Sequence, residues 1–197
     1  MNKLKNIIIA MVALFFVNQT AFASDLMPSD FFQLDIYTGQ TAVTGMFSEQ
    51  KNPSTWGFSA NIYFKSKKEV FHPSYISIGN YNFSMVSNDN SFPFPQNEPV
   101  NFSSSFLNLE IPFYGTDKFS LYFGVGYAII SLLNDRDKKY AQNYGSSQYE
   151  LQARYDVADK WSLYYKTKWQ QINQYQNGNF SFIEMWSHFV GMGYLVF

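Results

Sequence analysis

The chain has no cysteine, only two histidines, and few charges: Asp, Glu, Lys and Arg make up 15% of its residues. Without cysteine there is no disulfide scaffold, no thiolate nucleophile and no thiolate metal ligand. His72 and His188 have no second ligand at metal spacing, so no zinc site is expected. Asn134-Asp135-Arg136-Asp137 carries carboxylates but lacks the glycine and full loop pattern of a calcium site. Neither a metal nor another cofactor is therefore expected. Lys and Arg number 14 against 15 Asp and Glu, which leaves no basic stripe for nucleic acid. After residue 23 no apolar run is long enough to cross a bilayer as a helix.

What the chain has in quantity is aromatic side chains, 20% of all residues. Its start is also distinctive. Lys3 and Lys5 precede an apolar run over residues 7–17, and Ala21-Phe22-Ala23 follows as a small-any-small cleavage site. Residues 1–23 thus read as a secretory signal peptide, with a single domain over 24–197. Removing Lys3 and Lys5 takes the formal net charge from −1 to −3.

Segments of alternating polarity, each near the length of a tilted transmembrane strand, recur eight times. They cover residues 32–41, 56–65, 74–85, 101–113, 119–130, 149–157, 161–171 and 181–197. The second is the clearest, with Trp56, Phe58, Ala60, Ile62 and Phe64 against Gly57, Ser59, Asn61, Tyr63 and Lys65. The third loses phase near Asn80, where a bulge would restore it. The connections alternate between longer (42–55, 86–100, 131–148, 172–180) and shorter (66–73, 114–118, 158–160). Long–short alternation marks an up-and-down membrane barrel. The expected fold is all-β: an eight-stranded antiparallel transmembrane β-barrel. A soluble ligand-binding barrel of the periplasm also alternates, with its apolar face turned inward.

Opposite the apolar face lie Asp35, Glu110, Glu150, Arg154, Asp156, Lys166, Lys168, Glu184 and His188. Side chains fill an eight-stranded lumen. These groups are therefore expected to form an interior network of paired charges, with Tyr63, Tyr122, Tyr164, Trp186 and Tyr194 adding bulk. The four tryptophans, Trp56, Trp161, Trp169 and Trp186, suit an interfacial girdle. Phe92-Pro93-Phe94-Pro95 falls on an outer loop and reads first as a loop packing on its own rim, with an adhesive patch or lipopolysaccharide contact as the alternative.

The last strand ends on Phe197, with Leu195, Gly193, Gly191, Phe189 and Met185 on the same face. It resembles the C-terminal signal of bacterial outer-membrane β-barrels. That resemblance implies an outer-membrane location, with lipid and lipopolysaccharide around the barrel. It also implies that the barrel assembly machinery reads Phe197, Leu195 and Phe189, which would then face lipid. The interior charges resemble those of OmpA-type barrels. The stretch Asn177-Gly178 and then Ile183-Glu184-Met185-Trp186-Ser187 also resembles the closing segment of the outer-membrane lipid A 3-O-deacylases. Where that family has His-any-Ser, this chain has Thr167-Lys168-Trp169-Gln170, so no catalytic residue is carried over. The expected role is structural or surface-interactive and non-catalytic, without general porin activity. A lipid A-modifying enzyme or its degenerate relative is the alternative. Deleting Phe197 should lower the yield of folded protein more than a substitution at Asn143, measured by heat-modifiable gel mobility.

Overall fold

The computed structural model describes residues 27–44, 53–65, 74–86, 99–134, 142–176 and 179–196. It is a closed barrel of eight strands, each antiparallel to its neighbours in chain order. They are β1 (Met27–Thr44), β2 (Ser54–Lys65), β3 (Tyr75–Val86) and β4 (Pro99–Gly115), then β5 (Phe119–Asn134), β6 (Gln142–Ala158), β7 (Trp161–Gln176) and β8 (Asn179–Leu195). The barrel closes where β1 pairs with β8, from Gln33↔Leu195 to Thr44↔Glu184. Closure removes the open edges that would leave backbone groups unpaired in lipid.

Both described ends of the chain lie at one rim, here the terminal rim, with the turns at 116–118 and 159–160. The opposite end is the far rim. Three strand pairs shift register near the terminal rim: at Pro28/Phe32, Pro112/Tyr114 and Asp156/Ala158. Pro112 has no N–H for the ladder, so an irregularity at that position is expected of it.

The strands run longer than the alternating segments suggest. β7 and β8 stay paired as far as Gln176↔Asn179, so the long connection expected over 172–180 is mostly strand. The long–short alternation therefore does not hold at that hairpin, nor between β1–β2 and β2–β3, whose connections span 45–53 and 66–74. The Phe92–Pro95 segment and Phe197 lie outside the described residues.

Two solvents shape the sheet along its height. Near the terminal rim and through the middle, the outer face is apolar. Leu34, Ile36, Phe58, Ile62, Ile78, Leu107, Phe123, Ile129, Leu151, Leu163 and Val190 are all exposed there. In β7 this outer face runs from Trp161 to Trp169, nine residues, within the roughly 9–11 that a tilted strand uses to cross a bilayer. Trp161 meets Tyr194 at one edge, with ring centroids 4.8 Å apart, and Trp169 meets Tyr149 (5.5 Å) and Trp186 (6.3 Å) at the other. These are the two aromatic rims of a lipid-facing belt.

Beyond the upper rim the pattern inverts. The outer face becomes mainly polar, with Asn80, Asn82 and Ser84 on β3, Asn101, Ser103 and Ser105 on β4, and Asn143 and Ser147 on β6, although Val86 and Leu133 stay exposed there. The inner face becomes apolar: Phe83, Met85, Val100, Phe102, Ile130, Leu132, Ile172, Ile183 and Met185 are buried in one cluster. β3 crosses this boundary with no bulge, in continuous register with both neighbours. The loss of phase near Asn80 is a change of solvent rather than of geometry. Below Asn80 the wall is apolar outside and polar inside; above it the wall resembles a water-soluble barrel around a dry core.

This boundary is open to measurement. Leu151→Arg, within the belt, should lower the unfolding free energy by about 2–4 kcal/mol, whereas Asn143→Arg, beyond it, should cost about 0–1. Urea titration of the barrel folded into lipid vesicles reads both values.

Candidate functional site

The middle of the lumen is built from side chains that alternate along β6 and β7. A strand turns every second residue to the same side, so Glu150 and Gln152 point inward on β6, as do Tyr164, Lys166, Lys168 and Gln170 on β7. The register places Glu150 opposite Lys168 and Gln152 opposite Lys166. Glu150 then takes both ammonium groups: Lys168 Nζ lies 2.9 Å from Oε2, and Lys166 Nζ lies 3.4 Å from Oε1. All three are buried, at 1–2% exposure. Charges at that depth are tolerable only when paired and hydrogen-bonded.

Aromatic faces supply further stabilisation. Lys166 Nζ sits 4.6 Å from the Tyr164 ring centroid and 5.0 Å from that of Tyr37. Lys168 Nζ sits 3.3 Å from the Phe106 centroid. The negative face of each ring attracts the cation, more so where water is excluded. On the far side of Glu150, Asn108 Nδ2 donates to Glu150 Oε2 (3.3 Å) and to Glu110 Oε1 (3.1 Å), while Gln148 Nε2 donates to Asn108 Oδ1 (2.9 Å). Tyr81 OH on β3 donates to Gln170 Oε1 on β7, which joins strands on opposite sides of the barrel.

A second polar group lies toward the terminal rim. Asp35 accepts from Asn61 Nδ2 (2.7 Å), Gln33 Nε2 (2.6 Å) and Ser59 Oγ (3.4 Å). Tyr63 OH donates to Gln33 Oε1 (2.9 Å) and accepts from Arg154 Nη1 across the lumen, while Arg154 Nε contacts Asp156 Oδ1 at 2.7 Å. The rings of Tyr63, Tyr75 and Tyr122 pack together there, with centroids 4.8 and 5.1 Å apart. Beside the lysines Tyr37, Tyr81 and Phe189 pack edge to face, at 4.9 and 5.4 Å. Below this comes the tyrosine layer, and above it the apolar cluster of the far half. The lumen is occupied by side chains along its described height.

Two of the expected interior charges are elsewhere. Glu184 and His188 point outward, and so do Trp186 and Tyr194, all of which the alternation from Phe197 had placed inside. Phe189, expected on the lipid face, is instead fully buried in the lumen. The β1–β8 register sets this phase, and the glycines show why. A Cβ on Gly191 would strike the ring of Tyr164, and one on Gly193 would strike Gln33 and Asp35. These positions are bare because the lumen is crowded, and bareness is what had suggested the lipid face.

On the outer surface His188 Nδ1 lies 2.9 Å from Tyr165 OH and 3.1 Å from Thr167 Oγ1. A hydroxyl beside an imidazole is half of a nucleophilic site; the other half is a group that orients the imidazole. Glu184 shares that face but is four residues along the same strand, about 13 Å at the usual rise. No hydroxyl–imidazole–carboxylate triad closes there. Among the described residues no three acidic or histidine side chains converge on a metal-sized site.

No protein-family model matches the sequence, and no curated protein matches it. Solved structures do match. Neisserial surface protein A aligns with a TM-score of 0.60 at 8% identity, over 85% of this chain and 98% of that one. Ail, the attachment invasion locus protein of Yersinia pestis, solved with the heparin analogue sucrose octasulfate, gives 0.54 at 11% identity, over 84% and 97%. The outer membrane protein OprG from Pseudomonas aeruginosa gives 0.53 at 11%, over 87% and 98%. At such identities the likeness is one of fold.

Glu150→Ala would leave two buried ammonium groups uncompensated. It should destabilise the barrel by about 3–5 kcal/mol, while Glu184→Ala, outside, should shift the unfolding midpoint negligibly. Denaturant titration of the two variants beside the parent protein separates them. By architecture and by its apolar belt, the chain has the fold of small eight-stranded outer-membrane β-barrels.

Proposed function

We propose that this protein acts at the outer-membrane surface as an interaction protein, with a sealed lumen in place of a diffusion pore. The observation that carries the reading is the occupied lumen. Three tyrosines cluster near the terminal rim, the Glu150–Lys166–Lys168 group fills the middle, and a dry apolar core fills the far half. Porin-type aqueous channels have about 16–18 strands; eight leave an interior narrow enough for side chains to fill. A protein without a channel acts through its surfaces, and loops on a rigid scaffold are where recognition usually resides.

The far rim supports an interaction role. There the wall continues past the belt with polar side chains outside, as a part standing in water would. The reading takes this rim as the external one. It also takes residues 1–23 as a signal peptide removed before Ser24, and the last strand as the segment that the assembly machinery reads. A soluble periplasmic barrel is not supported, because exposed leucines, isoleucines and aromatics encircle the middle of the wall, a patch of a kind that soluble monomers rarely leave bare.

Purified protein in a planar bilayer should show no steady conductance of porin size. Stable large channels from the parent protein would contradict the sealed-lumen reading.

A further inference from the structure

The outer wall above the lipid belt holds a groove of about 800 Å³ across β2 to β6. Trp56 and Pro53 stand at one side and Asn143 at the other, with Asn82, Ser84, Asn101 and Ser103 along the floor and apolar surface from Leu133, Phe83, Phe102 and Leu132 between them. Every polar side chain lining it among the described residues is an amide or a hydroxyl, and none is charged. We propose that this groove binds uncharged sugar units, and that they belong to the glycolipid of the surrounding leaflet. The proposal rests on the surface-interaction reading above and deepens it.

The chemistry of the lining selects the ligand class. The floor and the wall just below it form a preorganised amide–hydroxyl network. Asn80 Nδ2 donates to Ser103 Oγ (2.9 Å) and Ser105 Oγ (3.0 Å), Asn82 Nδ2 donates to Asn80 Oδ1 (2.6 Å), and Ser131 Oγ donates to Asn143 Oδ1 (2.7 Å). Ser84 Oγ donates to Asn101 Oδ1. A carboxamide offers two donors and an acceptor oxygen with two lone pairs. Asn82 and Asn143 each commit only part of that capacity to a wall neighbour. Sugar hydroxyls donate and accept in the same mixed fashion, whereas a phosphate or sulfate needs a cation or a concentration of donors. Trp56 is 59% exposed and stands beside Asn82 in the ladder. Its indole face is a flat apolar surface of the kind that the C–H side of a sugar ring packs against. An enclosing side wall, several polar groups and one aromatic face together make a ligand site.

Position selects the source. The floor begins at Asn82 on β3 and Ser103 on β4, two outward residues above Ile78 and Leu107, the last apolar residues of the belt on those strands. The groove opens sideways, so its ligand approaches along the membrane plane at the height just above the acyl chains. At that height and in that direction the saccharide of a lipid-anchored glycan is already present at high local concentration.

The test uses the full barrel in nanodiscs, with side-chain amide resonances of Asn82 and Asn101 and the indole N–H of Trp56 as reporters. Nanodiscs containing lipopolysaccharide with its complete core should shift these signals relative to nanodiscs containing lipid A alone. The shifts should survive 0.5 M NaCl, because the recognition is uncharged, and those of Asn101 and Trp56, the reporters that remain, should be lost in Asn82→Leu/Ser103→Leu, a pair of outward-facing changes that leaves the lumen untouched. Equal spectra in the two membranes, shifts abolished by salt, or shifts unchanged in the double variant would each overturn the proposal. Equal shifts from the released core oligosaccharide at the same concentration, with lipid A nanodiscs, would overturn the membrane-borne source. Conductance is measured separately: a large channel together with intact core-dependent shifts would sink the sealed-lumen reading and leave the groove standing.

Discussion

Glu150 holds Lys166 and Lys168 at once, and the rest of the interior is fitted around that arrangement. Eight strands set a barrel radius that leaves no bulk water inside. Two lysines separated by two positions on β7 must both enter this space, because the alternation that turns Trp161, Leu163, Tyr165 and Trp169 to lipid leaves them no other side. A buried ammonium group without a partner costs several kcal/mol. One carboxylate on the neighbouring strand, bridging both, offsets that cost. Tyr37, Tyr81, Phe106 and Tyr164 then cover the lysines and keep the site dry, which strengthens the same attractions. Asn108, Gln148 and Gln170 complete the network with donors and acceptors that carry no charge.

The same sheet serves two environments along its length, and this sets the relation between scaffold and surface. Within the belt, lipid receives the apolar face and the lumen receives the polar one. Above the belt, water takes the outer face, so the apolar side chains turn inward and form the core around Phe83, Phe102 and Leu132. No change of backbone is required, since only the identity of alternate residues changes. A consequence is that the outer wall above the lipid is rigid strand rather than loop, and its amides and hydroxyls are held in fixed register. The proposed interaction surface is in this way continuous with the part of the molecule that anchors it.

Much of the architecture was legible in the sequence because lipid enforces a strict alternation. Trp56 to Phe64 and Phe119 to Ile129 read as strands for that reason, and inward Glu150, Lys166 and Lys168 followed from the same period. What failed has a common cause: the period gives the two faces but not which solvent each one meets. In β8, Gly191 and Gly193 looked like a lipid face, yet they are bare because Tyr164 and Gln33 occupy their space. That one choice of phase misplaced Glu184, His188, Trp186, Tyr194 and Phe189 together. In β3 the switch at Asn80 looked like a bulge, because a change of solvent leaves the same trace in the sequence as a change of phase. The outer-wall groove had no signal in any one segment. Trp56, Asn82, Ser103 and Asn143 come from four strands and meet only through the barrel's register.

The sealed-interior account depends on the energetic coupling of Glu150 with Lys168, and a double-mutant cycle measures it directly. Unfolding free energies in lipid vesicles would be compared for the parent protein, Glu150→Gln, Lys168→Met and the double variant. If the pair is buried and interdependent, the double variant will lose less stability than the two single losses added together, by about 0.5–3 kcal/mol. Additive losses would mean that the two groups are separately hydrated, and would contradict a lumen closed by their contact.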